Sequence, residues 1–427
     1  MRIRQRPWLS LPALLFVLPF VLPFGRPASA ETYAEASASV GVGATDNALS
    51  ATTSSQEAAT GRDEFTLIRV GGRVFRVLRA VQNDLAYAFT ASRYLDHTAA
   101  NGLSHGLTWT SIIALTSATQ LRLSLGATYS HLNSTNPAAM NLALGPGAIP
   151  AGPISYFAAT FQESLTYRPK ATQLGTQSLS VATFVPLTDA QVSAIVAQHL
   201  LRGEATRGLN TGTGEFSLGL TWNPGKDDSL GQEIVPANRF VFGQVLAGAR
   251  RELSLAWSVS GEVGGLAAMR VEGGPIDVGP AWRAGLRYRR EFGQASLELA
   301  RTPQPNVFLG DTLIVDLVSL RVGLPLDRRD RFFLLGIATY QHGRLVTRPS
   351  ITGPFHPGLD VWSAVGAIGF RPTEIPMAVS LDYSYFNQKG GDLGFGGTLP
   401  PVQRQVVMLT VTGILRDSRP RQLPVAD

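Results

Sequence analysis

The sequence predicts an all-β chain: a transmembrane antiparallel up-and-down β-barrel of about eighteen strands, with sixteen as the alternative count. Three observations predict it. Apolar residues alternate with Ser, Thr, Gly, Gln and Arg at a period of two over most of the chain, which is the mark of strands with one apolar and one polar face. Short connections alternate with long ones rich in Gly, Pro, Ser and Asn. There is no cysteine, so an exported chain of this length must be held by burial or by hydrogen-bonded closure rather than by disulfides.

The first element is a leader. Arg2, Arg4 and Arg6 form a basic start, Leu11 to Phe24 an apolar stretch broken by prolines, and Ala28-Ser29-Ala30 a cleavage site. Residues 1–30 read as a secretory signal peptide, since the apolar run is too short and too rich in proline for a membrane anchor. Residues 31–415 then form the barrel and 416–427 a periplasmic C-terminal tail. The leader also explains most of the formal charge of +6. Without its four arginines (Arg2, Arg4, Arg6, Arg26), 33 of the 37 basic residues remain against 31 acidic ones, a net charge of +2. No basic face alternates with stacking aromatics, so nucleic acid is not an expected partner.

Alternation places strands at about 32–44, 63–80, 84–95, 104–116, 119–132, 154–168, 173–185, 190–202 and 213–223. A second set follows at 238–248, 253–263, 279–291, 294–302, 313–324, 330–343, 359–371, 376–388 and 402–415. In the segment "ASASVGVGATDNALS", Ala36, Ala38, Val40 and Val42 alternate with Ser37, Ser39, Gly41 and Gly43. The glycines fit small lumen-side positions of a first strand. A dinucleotide loop would need a further glycine where Asp46 stands, followed by a helix. Two places break the rhythm of connections: Pro186–Asp189 is short where a long loop is due, and Gly203–Gly212 is long where a turn is due. Aromatics mark both ends of the strands. Tyr94, Tyr129, Trp222, Trp282, Trp362 and Tyr385 fall near one end, and Tyr33, Tyr87, Tyr167, Tyr288 and Phe370 near the other, as two interfacial girdles would. A soluble sandwich or propeller would show a charged outer face and a fixed repeat, and neither is present.

Eighteen strands enclose a lumen too wide for side chains to fill. A constriction would come from an inward-folded loop, with Asn133–Gly152 the longest. By alternation Arg122, Arg283, Arg287, Arg289, Glu262, Glu298 and Asp382 lie on the lumen face, and Arg321 joins them on a face shared with Val315 and Leu317. Such groups either select what passes a pore or pair with one another and brace the wall. Glu163 breaks the pattern. It shares a face with Phe161, Leu165 and Tyr167, which would contact lipid, so either a bulge or a misplaced strand is expected there. The six histidines lack the spacing of a metal site, no Ser–His pair is marked as a hydrolase dyad, and no cofactor is implied.

The run Gly41-Val42-Gly43-Ala44-Thr45-Asp46-Asn47 resembles the Gly-x-x-Tyr-Asp-Asp-Asn-like string that closes the first strand in a group of Gram-negative outer-membrane β-barrels, matching in the glycines and in Asp46-Asn47. The overall plan is similar to eighteen-stranded polysaccharide-export porins. This resemblance implies a porin for cell-surface polysaccharide that works with a periplasmic polysaccharide-export protein. A general diffusion porin and a non-conducting structural or adhesive barrel are the alternatives. Outer-membrane lipid, lipopolysaccharide and the outer-membrane assembly machinery are the other expected partners. The final strand departs from the usual aromatic ending, with Leu415 in that place.

Overall fold

In the computed structural model the described residues are 31–48, 61–133, 153–187, 193–227, 233–235, 237–273, 276–290, 293–306, 311–329, 331–346, 358–373, 375–389, 391–392, 398–399 and 401–416. The leader, the Asn133–Gly152 loop beyond Asn133 and the tail after Arg416 lie outside them. The chain forms an eighteen-stranded sheet. Its strands are β1 (Glu31–Thr45), β2 (Asp63–Val77), β3 (Val81–Tyr94), β4 (Gly102–Ala114), β5 (Thr119–Asn133), β6 (Pro153–Lys170), β7 (Gln173–Pro186), β8 (Ala194–Arg207) and β9 (Asn210–Asn223). They continue with β10 (Asn238–Glu252), β11 (Trp257–Arg270), β12 (Asp277–Arg290), β13 (Gly293–Asn306), β14 (Asp311–Pro325), β15 (Phe332–Leu345), β16 (Gly358–Phe370), β17 (Met377–Lys389) and β18 (Val402–Arg416). Each is antiparallel to its neighbour in sequence, and β1 closes on β18 from Glu35↔Arg416 to Thr45↔Val406. Every expected strand is found, and the count is eighteen rather than sixteen.

Closure follows from the chemistry of the two faces. On β9, Phe216, Leu218, Leu220 and Trp222 are exposed, while Glu215, Ser217, Thr221 and Asn223 are buried. Polar groups therefore face the interior and apolar groups face out, the reverse of a soluble protein. A sheet with such an exterior can be stable in lipid, but only without free edges, because hydrocarbon cannot hydrogen-bond an unpaired strand. An apolar belt outside, a polar lining inside and an edge-free ladder place the barrel in the outer membrane.

The first strand behaves as its alternation predicts. Val40 and Val42 are exposed outward, and Gly41 and Gly43 face inward. A Cβ on Gly43 would lie 2.7 Å from the Val407 carbonyl oxygen and 2.8 Å from the Phe65 ring, and one on Gly41 would lie 3.0 Å from the Met408 sulfur. Neighbouring strands press in at both glycines. Beyond them, polar bonds fasten the seam. Asn47 Nδ2 donates to the Gln403 carbonyl (2.9 Å), and the Gln405 N–H donates to Asp46 Oδ1 (2.6 Å). The buried Arg404 donates to Thr45 Oγ1 (3.1 Å) and to the Tyr94 hydroxyl (2.6 Å).

Several expectations need correction. The expected strands 190–202 and 213–223 are Ala194–Arg207 and Asn210–Asn223, so their connection shrinks to Gly208-Leu209, with Gly208 at φ +61°. The opposite connection grows to residues 187–193, which restores the alternation of short turns and long loops. Gly203, Gly212 and Gly214 resemble a loop in sequence but occupy the outer face of the wall, with Gly203 paired to Gly214. Small residues there erase the apolar signal. Tyr94 and Tyr33 are not girdle residues: both lie on the inner face, Tyr94 buried against Phe65. Around Glu163 there is neither bulge nor misplacement. The ladder runs unbroken through Glu163↔Leu179 and shifts only between Tyr167 and Lys170.

The wall also overlaps itself. Pairing of β12 with β13 spans only Trp282↔Arg301 to Arg290↔Gly293, so the extracellular ends of the two strands part. Val318 and Leu320 on the outer face of β14 are exposed, yet Thr312 and Ile314 on the same face are buried. Ile314 packs with Phe240, Phe242 and Leu246 of β10, Leu266 and Ala268 of β11, and Ala281 of β12. The Thr312 hydroxyl lies 3.2 Å from that of Thr221 on β9. Arg344 of β15 donates to Asp277 of β12 at 3.0 Å. The outer face of the β14–β15 ends thus lies against the inner face of β9–β12. On its other side this tucked layer packs through Leu313, Val315 and Leu317 on Leu359, Val361 and Phe386. Among the described residues, the wall itself folds into the lumen here.

Candidate functional site: the barrel lumen

Just on the periplasmic side of the overlap, charged side chains bridge strands that are not neighbours. Arg202 on β8 donates through Nε to Glu204 (3.0 Å), through Nη1 to Glu215 on β9 (2.9 Å) and through Nη2 to Glu262 on β11 (2.9 Å). Arg283 on β12 donates through Nη1 to Glu262 (2.8 Å) and to Glu215 (3.1 Å). Gln244 Nε2 on β10 donates to Glu215 at 3.2 Å, and its Oε1 accepts from Thr302 on β13 at 3.0 Å. The Glu215 and Glu262 side chains are 4% and 5% exposed, and that of Arg283 is 30% exposed. Two nearly buried carboxylates are therefore shared by two guanidinium groups, each in contact with both. Forked donors suit this geometry, and the fixed pairing cinches β8 to β12 into a tight arc.

The other expected residues are arranged differently. Arg287 and Arg289 continue down the inner face of β12 toward the periplasmic end, both exposed. Arg321 on β14 and Arg122 on β5 are exposed on inner faces near the same end. None of these four side chains makes an ion pair or hydrogen bond to another described residue. Glu298 on β13 stands opposite Gly285, diagonal to Arg283 and Arg287. Asp382 on β17 accepts from Ser380 (3.1 Å) and Thr410 (2.8 Å) and interacts electrostatically with Arg69. Of the eight expected residues, the structure joins Glu262 and Arg283 directly and leaves the rest spread around the lumen.

Sequence reasoning missed Arg202 and Glu204, which fell at or beyond the end of a strand placed too early. Glu215 was visible, since it alternates with Ser217 and Thr221 on the polar face. It also missed Arg73, which donates through Nε to Asp84 at 2.8 Å across the inner faces of β2 and β3.

Two titratable groups outside the spanning strands are perturbed. At the periplasmic turn between β14 and β15, the Phe332 backbone N–H, together with the Arg331 guanidinium and N–H, holds the Asp327 carboxyl below the usual carboxylate range. At the other rim burial would raise Glu272, but the hydrogen bonds and charge of Arg239 outweigh it and hold that carboxyl low. Among the described residues no group of three or more His, Cys, Asp or Glu side chains could hold a metal ion.

No family model matches this chain, and no curated protein matches it. Solved structures do. The chain is similar to the ferric-catecholate import receptor Fiu of E. coli K12 in its open form, at 10% identity and TM-score 0.45, covering 92% of this chain and 82% of that one. It is similar to OpdQ of Pseudomonas aeruginosa at 9% identity and TM-score 0.42, covering 90% and 98%. It is also similar to OccK2 (OpdF) of Pseudomonas aeruginosa, solved in complex with glucuronate, at 12% identity and TM-score 0.44, again covering 90% and 98%. Identities this low concern the fold alone.

Proposed function

We propose that this barrel is a passive channel for small hydrophilic solutes and that it favours anions. The observation that carries this reading is an asymmetry between the two signs of charge. The lumen-side carboxylates Glu215, Glu262, Asp84 and Asp382 are engaged by arginines or hydroxyls, which leaves Glu298 as the one expected lumen carboxylate without a bonded partner among the described residues. Arg122, Arg287, Arg289 and Arg321 point into the same lumen near its periplasmic mouth with no partner side chain among the described residues. Unpaired guanidinium groups lining a water-filled path lower the energy of a passing anion and raise that of a cation. They also fork onto carboxylates or phosphates.

Small solutes are favoured over a polymer because the wall overlap occupies much of the extracellular half on the β9–β16 side. Export of surface polysaccharide with a periplasmic partner, which the plan of the sequence implies, finds no supporting observation in the lumen. The test is conductance of the purified barrel in planar bilayers under a salt gradient. The expected result is an anion-selective reversal potential that moves toward the cation side when Arg287, Arg289 and Arg321 are each changed to Glu. A barrel with no conductance, or one with cation selectivity indifferent to these changes, would refute the reading. A strain lacking the protein that loses surface polysaccharide but keeps small-anion uptake would reverse the choice between solute and polymer.

A further inference from the structure

The outer wall carries a polar patch where lipid should be. Glu163 on β6, Gln177 on β7 and His199 on β8 all lie on the outward face. The register fixes this: Leu123↔Glu163↔Leu179↔His199↔Leu218 is one row, and Leu165↔Gln177↔Leu201↔Phe216 is the next. Leu179, Leu201, Phe216 and Leu218 in these rows are exposed as the rest of the belt is. Glu163 sits between Phe157 and Tyr167, the exposed aromatics at the two ends of its strand, so it lies inside the apolar band rather than at its rim. The three polar residues, with Leu165 and Leu179, line a shallow depression of about 280 Å³.

Several outward polar side chains within the belt satisfy one another. Tyr87 and His105 are bonded at 2.8 Å, Tyr340 and His342 both bond Asp360 (2.9 and 2.8 Å), and Tyr383 bonds Gln405 at 3.3 Å. Glu163, Gln177 and His199 have no such partner among the described residues. An ionisable group in hydrocarbon with no partner is costly, and such groups ordinarily meet a complementary group on another surface.

We infer that this patch is the contact between two copies of this chain. The reason is its own complementarity. An acid and a base stand on either side of Leu179, one strand away each. They also lie at nearly the same height above their periplasmic turns, Ala171-Thr172 and Gly208-Leu209. Two copies in one membrane share the same up–down orientation, so a two-fold axis relating them must run along the membrane normal. An axis passing by Leu179 sets Glu163 of each copy against His199 of the other, which is the self-complementary pattern of an isologous interface. The two Leu179 side chains meet at the centre, and Gln177 lies close enough to supply a further hydrogen bond. The inference does not depend on whether the lumen conducts.

The absence of native cysteine makes the test direct. Leu179→Cys, oxidised in native outer membranes, is expected to give a covalent dimer, whereas Leu381→Cys on the exposed face of β17 is not. In mild detergent the unmodified chain is expected to have the mass of two copies. Glu163→Leu and His199→Leu are each expected to weaken dimerisation about tenfold, since each removes two symmetry-related hydrogen bonds, and such a bond in lipid is typically worth about half a decade in affinity. The exchanged double variant Glu163→His with His199→Glu should recover it. Heat-modifiable electrophoretic mobility checks that each variant is a folded barrel. A monomer in both membrane and detergent would overturn the inference. So would cross-linking of Leu179→Cys to a different protein, or single variants that dimerise as well as the unmodified chain.

Discussion

Replacing Arg283 with Gln should destabilise the folded barrel far more than replacing Arg289 with Gln on the same face of the same strand. Arg283 sits 2.8 Å from Glu262 and 3.1 Å from Glu215, carboxylates that are almost fully buried. Without it, two negative charges share Arg202 alone, while Glu204 draws on the same guanidinium. Removing one member of a buried charge cluster typically costs about 3–5 kcal/mol. The Arg283 side chain is 30% open to the lumen, and water there softens the loss, so about 3 kcal/mol is expected. Among the described residues Arg289 has no partner to orphan, and its loss should cost no more than about 0.5 kcal/mol. The assay is urea unfolding in phospholipid vesicles, with the folded fraction read from electrophoretic mobility without heating. If Arg283→Gln and Arg289→Gln unfold at the same urea concentration, the network does not brace the wall and this reasoning fails. A variant in which all four charged residues, Arg202, Glu215, Glu262 and Arg283, become apolar side chains of similar volume should recover most of the loss, because no charge is then left unpaired.

Three further outcomes are expected. Ile314→Ala should cost about 2–4 kcal/mol in the same unfolding assay and raise single-channel conductance, because it thins the layer packed on Phe242 and Leu266; unchanged conductance would show that the overlap does not limit flow. Gly43→Ala should cost about 1–3 kcal/mol and slow assembly, since its Cβ meets the Val407 carbonyl, whereas Gly72→Ala, with open space around it, should be silent; equal folding yields would contradict this. Because the native Asp327 carboxyl titrates below its ordinary value of 3.8, its contribution is present above that pH and is lost as the pH falls through the lower native value. Amide protection factors at Arg331 and Phe332, taken against the intrinsic exchange rate at each pH, should therefore fall in strong acid, and in Asp327→Asn they should be low at every pH; a wild-type turn with equal protection factors at pH 7 and pH 2 would contradict it.

Most of the architecture was legible because a membrane barrel writes its fold into local alternation. Each strand must turn apolar residues to lipid, so Phe216, Leu218, Leu220 and Trp222 declare their strand without reference to any partner. Legibility failed where the outward residues are small. Gly203, Gly212 and Gly214 form wall but carry no apolar signal, and that error hid Arg202 and Glu204. The overlap was invisible for a different reason. Whether Ile314 meets lipid or Phe242 depends on where β12 and β13 part, which is a long-range property with no local period. Of the lumen residues, alternation identified the face of Arg283 and Glu262 but not that Arg283 would also meet Glu215 or that Arg202 would share both acids, four strands' worth of curvature being needed to bring β8 and β12 together.

The polar seam at Asp46-Asn47 bears on how the barrel is completed. The groups it joins, Asp46 with Gln405 and Asn47 with Gln403, are more than 350 residues apart in the chain. The last strand must therefore find the first across nearly the whole sequence. A slip of one residue there would turn every side chain of β18 to the wrong face. Backbone pairing alone tolerates such a slip, because each step along a ladder offers the same N–H and C=O groups. The side-chain bonds from Asp46, Asn47 and Arg404 exist at one alignment only. They act as a proofreading mark for the final step of closure, read when Arg404 reaches Thr45 and Tyr94.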